Sequence, residues 1–283
     1  MTYREIYEEG RNSLADAAIG EAALDARLLL EYVCHTNRND LLVHGDKPVT
    51  EEQAESYRAL IQKRAKHIPL QYLTGEQDFM GLTFQVNDKV LIPRQDTEIL
   101  VEEVLREPHD GMRFLDMCTG SGCILLSILH YSNDCQGVGV DISGEALQVA
   151  KKNAERICPD GNITFLQSNL FENVTGKYEY IVSNPPYIPS PVIEELMPEV
   201  REHEPRMALD GTADGLFFYR RIVQETPSYL KEGGWLCMEI GYDQGAAVRQ
   251  LMEARGFVTV SVIKDLAGLD RVVSGCYRRN RNV

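Results

Sequence analysis

Apolar positions in the first 75 residues recur at helical spacing, in stretches such as AALDARLLLEYV and AESYRALIQKRAKHIPLQYL, which gathers them on one face of a helix. β-branched runs are scarce there, so the pattern predicts a small helical bundle over residues 1–75. Within it VTEEQ reads as a helix start capped by Thr50, with Glu51 and Glu52 in the first turn. After Gly75 the period changes to the alternation of LTFQVND, followed by VLIPRQDTEILVEEVL, a proline-bearing turn that feeds a helix. A β-hairpin connector is expected over residues 76–90, and a second domain over residues 91–283.

From Met112 onward, strand-like and helix-like segments alternate. RFLDMC, GVGVD, ITFLQS, YEYIVS, GWLCMEI and VTVSVIKD read as strands, and GCILLSILHY, SGEALQVAKKNAERI, GLFFYRRIVQETPSYLK and QGAAVRQLMEAR as helices. This is the signature of an α/β fold with a doubly wound, mostly parallel sheet. The closing RVVSGCYRR follows the sixth strand across a short turn, so it is expected to pair antiparallel.

Composition narrows the function classes. A chain of 283 residues with 43% hydrophobic content has room for a sizeable core. The net charge of −14 disfavours a partner held mainly through phosphates, and residues 1–75, with 9 basic against 12 acidic side chains, are no basic arm. Seven scattered cysteines without C-x-x-C spacing predict reduced thiols, with neither a disulfide framework nor a structural zinc. The opening MTYREIYEEG lacks the layout of a signal peptide and apolar runs are short, so a cytoplasmic chain with no membrane partner is expected.

Three loops carry chemistry. LDMCTGSGC joins the first strand of the second domain to its helix, and its glycines allow close backbone approach to a ligand. The spacing is neither the dinucleotide nor the phosphate-loop pattern, which disfavours a pyrophosphate. Asp141, closing the second strand 19 residues after Gly122, can accept both ribose hydroxyls of a nucleoside. Asn169 after the third strand is placed to meet an adenine edge, with Leu170 against its face. The fourth strand delivers Asn184, Pro185, Pro186 and Tyr187 to the same sheet edge, beside the first strand. Two prolines remove two N–H donors, so the corner offers carbonyl acceptors without competing donors, and Tyr187 adds a ring face. Such a corner suits a planar group bearing an NH₂.

The corner resembles the N-P-P-Y motif of class I methyltransferases that use S-adenosylmethionine on amide or exocyclic amino nitrogens. The wider set VLIPRQDTEILVE, DMCTGSGC, NPPYI, HEPRMALDGTADGLFFYRRI, EIGYDQG and DLAGLDRVV is similar to the release-factor glutamine methyltransferase family (PrmC/HemK). That resemblance implies a Rossmann-like seven-stranded methyltransferase domain and a small N-terminal helical domain that helps recognise the substrate. It implies methyl transfer to the glutamine of the Gly-Gly-Gln loop of bacterial class I release factors, by a monomer that binds no nucleic acid directly and yields S-adenosylhomocysteine. Cys118, Thr119, Gly120, Ser121, Gly122, Asp141, Asn169, Leu170 and Asn184 would bind the cofactor. Asn184, Pro185, Pro186 and Tyr187 would hold the glutamine, with Arg94 near the mouth and Glu204 ordering a loop. Three positions depart from the family pattern: Cys118 and Gln95 where glycine and proline are usual, and Asn169 where aspartate is frequent. Cys118 fits the loop if its φ is negative. The alternative is a DNA or ribosomal-RNA amino-methyltransferase, which would need a basic surface to seat its substrate.

Overall fold

The computed structural model describes residues 1–107 and 110–278; the end of the second domain's expected span, 279–283, lies outside them. The chain packs as two compact units, Met1–Glu76 with Met197–His203, and Gln77–Leu196 with Glu204–Val283.

The first unit holds α1 (Tyr3–Asp16), α2 (Ala22–Cys34), α3 (Arg38–Val43), α4 (Glu51–Arg64) and α5 (Leu70–Thr74). Ile6, Leu14, Leu29, Leu30 and Ile61 fill its core. The Thr50 cap forms as expected: its hydroxyl accepts from the Gln53 N–H at 3.1 Å, and the Gln53 side chain accepts from the Thr50 N–H at 3.0 Å. The run read as one helical stretch through LQYL breaks after Arg64, because Pro69 bars Ile68 from helical backbone angles and α5 restarts behind it. Arg64 is buried, donating to Asp25 at 2.7 Å and also to Glu199 on the helix Pro198–His203, which belongs to this unit. Burial raises the Asp25 carboxyl above the usual carboxylate range, and the Arg64 hydrogen bond and charge pull it back.

The second unit begins with the hairpin β1 (Glu76–Phe79) and β2 (Leu82–Gln85), followed by α6 (Gln95–Leu105). Phe79 and Phe84 are buried in the same core as Leu100 and Val104 of α6. The hairpin is therefore built into this unit. Then come β3 (Arg113–Met117), α7 (Cys123–His130), β4 (Gln136–Asp141), α8 (Gly144–Ile157), β5 (Asn162–Gln167) and β6 (Tyr178–Ser183). Short helices α9 (Ser190–Ile193) and α11 (Arg206–Leu209), separated in the chain by the first unit's α10 (Pro198–His203), precede α12 (Phe217–Glu225), β7 (Leu230–Glu239), α13 (Gly245–Ala254), β8 (Phe257–Lys264) and β9 (Asp270–Tyr277).

Among the described residues, seven strands form one sheet in the order β5-β4-β3-β6-β7-β9-β8. β9 runs antiparallel to both β7 and β8, and the other pairs are parallel, which is the expected class I methyltransferase sheet. Successive residues point to opposite faces. Phe114, Val182 and Cys237 thus pack with α6 and α7, while Leu115, Ile181 and Leu236 pack with α12 and α13. The helix read through SYLK stops at Glu225, because Pro227 forces a 3-10 turn over Thr226–Ser228 and β7 starts at Leu230. Among the described residues, no helix is long and apolar enough to cross a membrane.

Removing one partner of a buried ion pair leaves the other charge uncompensated. Arg64→Leu is expected to destabilise the first unit by about 3 kcal/mol, read as lost hydrogen-exchange protection in α1, α2 and α4 of the full chain. The added change Asp25→Leu should restore part of that protection.

Candidate active site

β3 lies between β4 and β6, all three parallel, so their C-terminal ends open one crevice at the point where the strand order reverses. A cavity of about 380 Å³ occupies it, lined by Cys118, Thr119, Gly120 and Ser121 after β3, Asp141 at the end of β4, Ser168, Asn169 and Leu170 after β5, and Asn184 and Pro186 after β6. Sequence-predicted residues that follow or end four separate strands thus line one cavity.

The loop after β3 is tightly braced. Gly120 N–H donates to Asp141 Oδ2 and Ser143 N–H to Asp141 Oδ1, both at 2.9 Å, so each carboxylate oxygen keeps acceptor capacity toward the cavity. Burial raises the Asp141 carboxyl, and the N–H groups of Ser143, Gly120 and Ile142 pull it back. Below the loop Asp116 is fully buried, and its Oδ2 accepts from the Thr119 hydroxyl at 2.6 Å. Burial pushes that carboxyl up to about 7. Asn153 on α8 donates to the Ser121 carbonyl at 2.9 Å and to the Gln85 carbonyl at 3.0 Å, tying loop, helix and hairpin together. Its signal in the sequence was an asparagine on an otherwise apolar helix face.

Cys118 does not meet the condition set from sequence: its φ is +64°, in the left-handed region. The loop geometry is the one a glycine would supply, and the side chain is held there at a cost. Burial raises the Cys118 thiol, with the charges of Asp141 and Asp116 adding to the effect, which favours the protonated form. Leu170 also sits at positive φ, +52°. Asn169 is engaged on both sides, donating to Glu172 at 2.7 Å and accepting from Arg221 at 3.2 Å.

The proline corner divides its residues. Asn184 and Pro186 line the cavity, whereas Pro185 and Tyr187 are not among its lining residues. Tyr187 packs against the core cluster of α12 and α13, and its hydroxyl donates to Glu239 at 3.3 Å. The expected ring face on the cavity is therefore not there, because a buried phenol needs a hydrogen-bond partner and Glu239 supplies it. Gln244 donates to the Tyr187 carbonyl at 3.0 Å, and a Cβ on Gly215 would stand 2.3 Å from that same oxygen, so only glycine allows the approach. Arg94, which also lines the cavity, is ion-paired with Glu204. Sequence reasoning had named both residues separately. It missed Thr97, which lines the cavity beside Asn184, and Glu239, which accepts from Tyr187, although both stand inside the motifs VLIPRQDTEILVE and EIGYDQG.

Residues 5–75 match the family model described as PrmC N-terminal domain, and residues 94–196 the methyltransferase small domain. A release factor glutamine methyltransferase from Geobacter sulfurreducens is 43% identical over 275 residues, 97% of this chain and 96% of the relative. One from Moorella thermoacetica is 41% identical, over 99% of each chain. The chain belongs to the release factor glutamine methyltransferase family. It is an enzyme, and the matched methyltransferase segment runs from Arg94 past the proline corner. A methyltransferase from Pyrococcus furiosus, 16% identical, has the same fold with a TM-score of 0.53, covering 70% of this chain and 90% of its own.

Cys118→Gly is expected to raise the stability of the chain by about 1 kcal/mol, the order of the left-handed penalty it removes. Thermal or denaturant unfolding checks it. A stability equal to or below the parent's would show that the thiol's packing outweighs the strain.

Proposed function

We propose that this enzyme transfers a methyl group from S-adenosylmethionine to the side-chain amide nitrogen of the glutamine in the Gly-Gly-Gln loop of bacterial class I release factors. The observation that carries the reading is the meeting of the Asp141 loop system and the Asn184 acceptor on one cavity, within a chain of this family along nearly its whole length.

The residues fit the cofactor. The cavity falls in the size range of small-molecule sites, and Gly120 leaves the space where a Cβ would stand free of any atom within 4 Å. Asp141 would take the ribose hydroxyls, and Leu170 a face of the adenine. Asn169, already bonded to Glu172 and Arg221, has only its remaining carbonyl lone pair for the adenine edge. S-adenosylmethionine supplies an electrophilic methyl group on a sulfonium.

What the chain must do is make a poor nucleophile competent. An amide lone pair is delocalised into its carbonyl, and acceptors on the two N–H bonds draw electron density back toward nitrogen. In this reading Asn184 Oδ1 takes one N–H, and the Pro185 carbonyl, next along the chain, takes the other. With the nitrogen held about 3–3.5 Å from the methyl carbon and in line, orientation alone lowers the barrier by several kcal/mol. The nitrogen, made acidic as its bond to the methyl carbon forms and the methyl–sulfur bond breaks, would give its surplus proton to water, so no dedicated base is required. Pro186 walls the site, Tyr187 supports the corner from behind, and Arg94 with Glu204 orders its mouth.

Incubating the chain with S-adenosylmethionine and a bacterial release factor should add one methyl group to the Gly-Gly-Gln peptide, seen by mass spectrometry. Methylation of DNA or RNA, with the peptide unchanged, would sink the proposal. Asn184→Ala should keep its affinity for S-adenosylmethionine while transfer falls about 100-fold, the scale of losing one oriented polar group.

A further inference from the structure

The Asn184 amide can sit in either of two orientations related by half a turn, and only one turns its carbonyl to the cavity. On the reading above, in which that carbonyl takes a substrate N–H, something must choose between them. The structure supplies it. Asn184 Nδ2 donates to the Thr97 hydroxyl at 3.4 Å. Thr97, in the first turn of α6, is 2% exposed and its hydroxyl bears on the carboxyl of Glu239, also 2% exposed, at the end of β7. The Tyr187 hydroxyl donates to Oε1 of the same carboxyl at 3.3 Å, and the buried Oε2 is left without a hydrogen-bond partner.

The direction of this relay follows from proton counting. A carboxylate has no hydrogen to give, and a hydroxyl has one. The neighbour able to give the partnerless Oε2 a hydrogen is Thr97; turned that way, its hydroxyl leaves a lone pair to receive the Asn184 NH₂, and the Asn184 carbonyl faces outward. We infer that Thr97 and Glu239 are positioning residues, which hold the Asn184 amide with its acceptor toward the substrate through a relay whose direction the Glu239 carboxylate sets.

A protonated Glu239 reverses the logic: it can donate to Thr97, whose hydrogen is then free to turn onto the Asn184 carbonyl and flip the amide. The groups facing Glu239 are Thr97 and Asp96 from α6, Tyr187 from the corner, Arg271 from β9 and the Cys123 thiol from α7, while Tyr219 of α12 binds its main-chain carbonyl at 2.9 Å. Burial raises the carboxyl to about 7, with Asp96 adding to the rise and Thr97, Arg271 and Tyr187 opposing it. Productive orientation, and with it transfer, should therefore increase as pH climbs through about 7.

The test uses the full chain with S-adenosylmethionine and a release factor, measuring kcat, KM and cofactor Kd. Thr97→Val keeps the buried shape but removes the hydroxyl; its kcat should fall about 100-fold, the scale of a misplaced reacting group, with cofactor Kd unchanged. Thr97→Ser, which keeps the hydroxyl, should turn over close to the parent. Glu239→Gln should lower kcat and flatten the rise across neutral pH. If that variant does not fold, the Val and Ser pair decides alone. Parent-like kcat in Thr97→Val, or an undiminished pH limb in a folded Glu239→Gln, overturns the inference and leaves the Asn184 role standing. A parent chain that never methylates the release factor overturns both.

Discussion

The position of β3 between two parallel neighbours is the constraint on which the rest depends. β4 and β6 pair with β3 in register, with Met117 level with both Val140 and Ser183, so the segments leaving these strands start at one height. Because the connections from β3 and β6 leave toward opposite ends of the sheet, nothing fills the space above β3. The Ser183 hydroxyl then closes the floor by donating to the Met117 carbonyl at 2.7 Å. A cavity, a carboxylate and an acceptor corner share that height without any long loop having to find them.

Precision at the corner is borrowed from a distant stretch of chain. Asn184 and its prolines leave the sheet stiffly, but Tyr187 is fixed by residues far downstream: Gln244 holds its carbonyl, Glu239 its hydroxyl, and Gly215 the space beside it. Arg94 and Glu204, also far apart in sequence, close on each other at the cavity. A corner held in one geometry needs such bracing, since proline stiffness controls φ but not side-chain orientation.

The same region holds several groups that are uncomfortable by themselves. Asp116 and Glu239 are buried carboxyls pushed up to about 7, and Cys118 and Leu170 are side chains in left-handed backbone. Each costs stability by itself, and all four lie at the C-terminal ends of β3, β5 and β7. Such groups persist only where the surrounding structure over-determines them.

Local order in the chain was enough for much of this protein. Helical spacing before Gly75, alternating strands and helices after Met112, and the Thr50 cap depend on near neighbours, and each stands in the structure, except that the helices read through LQYL and SYLK stop short ahead of Pro69 and Pro227. That Asp141 and Asn184 would meet at one sheet edge was legible too, because the C-terminal ends of neighbouring parallel strands open on one crevice. What depended on long-range packing was not. The sign of φ at Cys118 follows from how the loop threads between β3 and β4, the buried side of Tyr187 from a carboxylate that arrives on β7, and the pairing of Arg94 with Glu204 from the closure of a loop. Thr97 and Glu239 read as a helix-start residue and a strand-end acid; only the tertiary structure, by burying both against the corner, makes them partners of Asn184 and Tyr187, because sequence spacing carries no record of which polar groups will share a desolvated space.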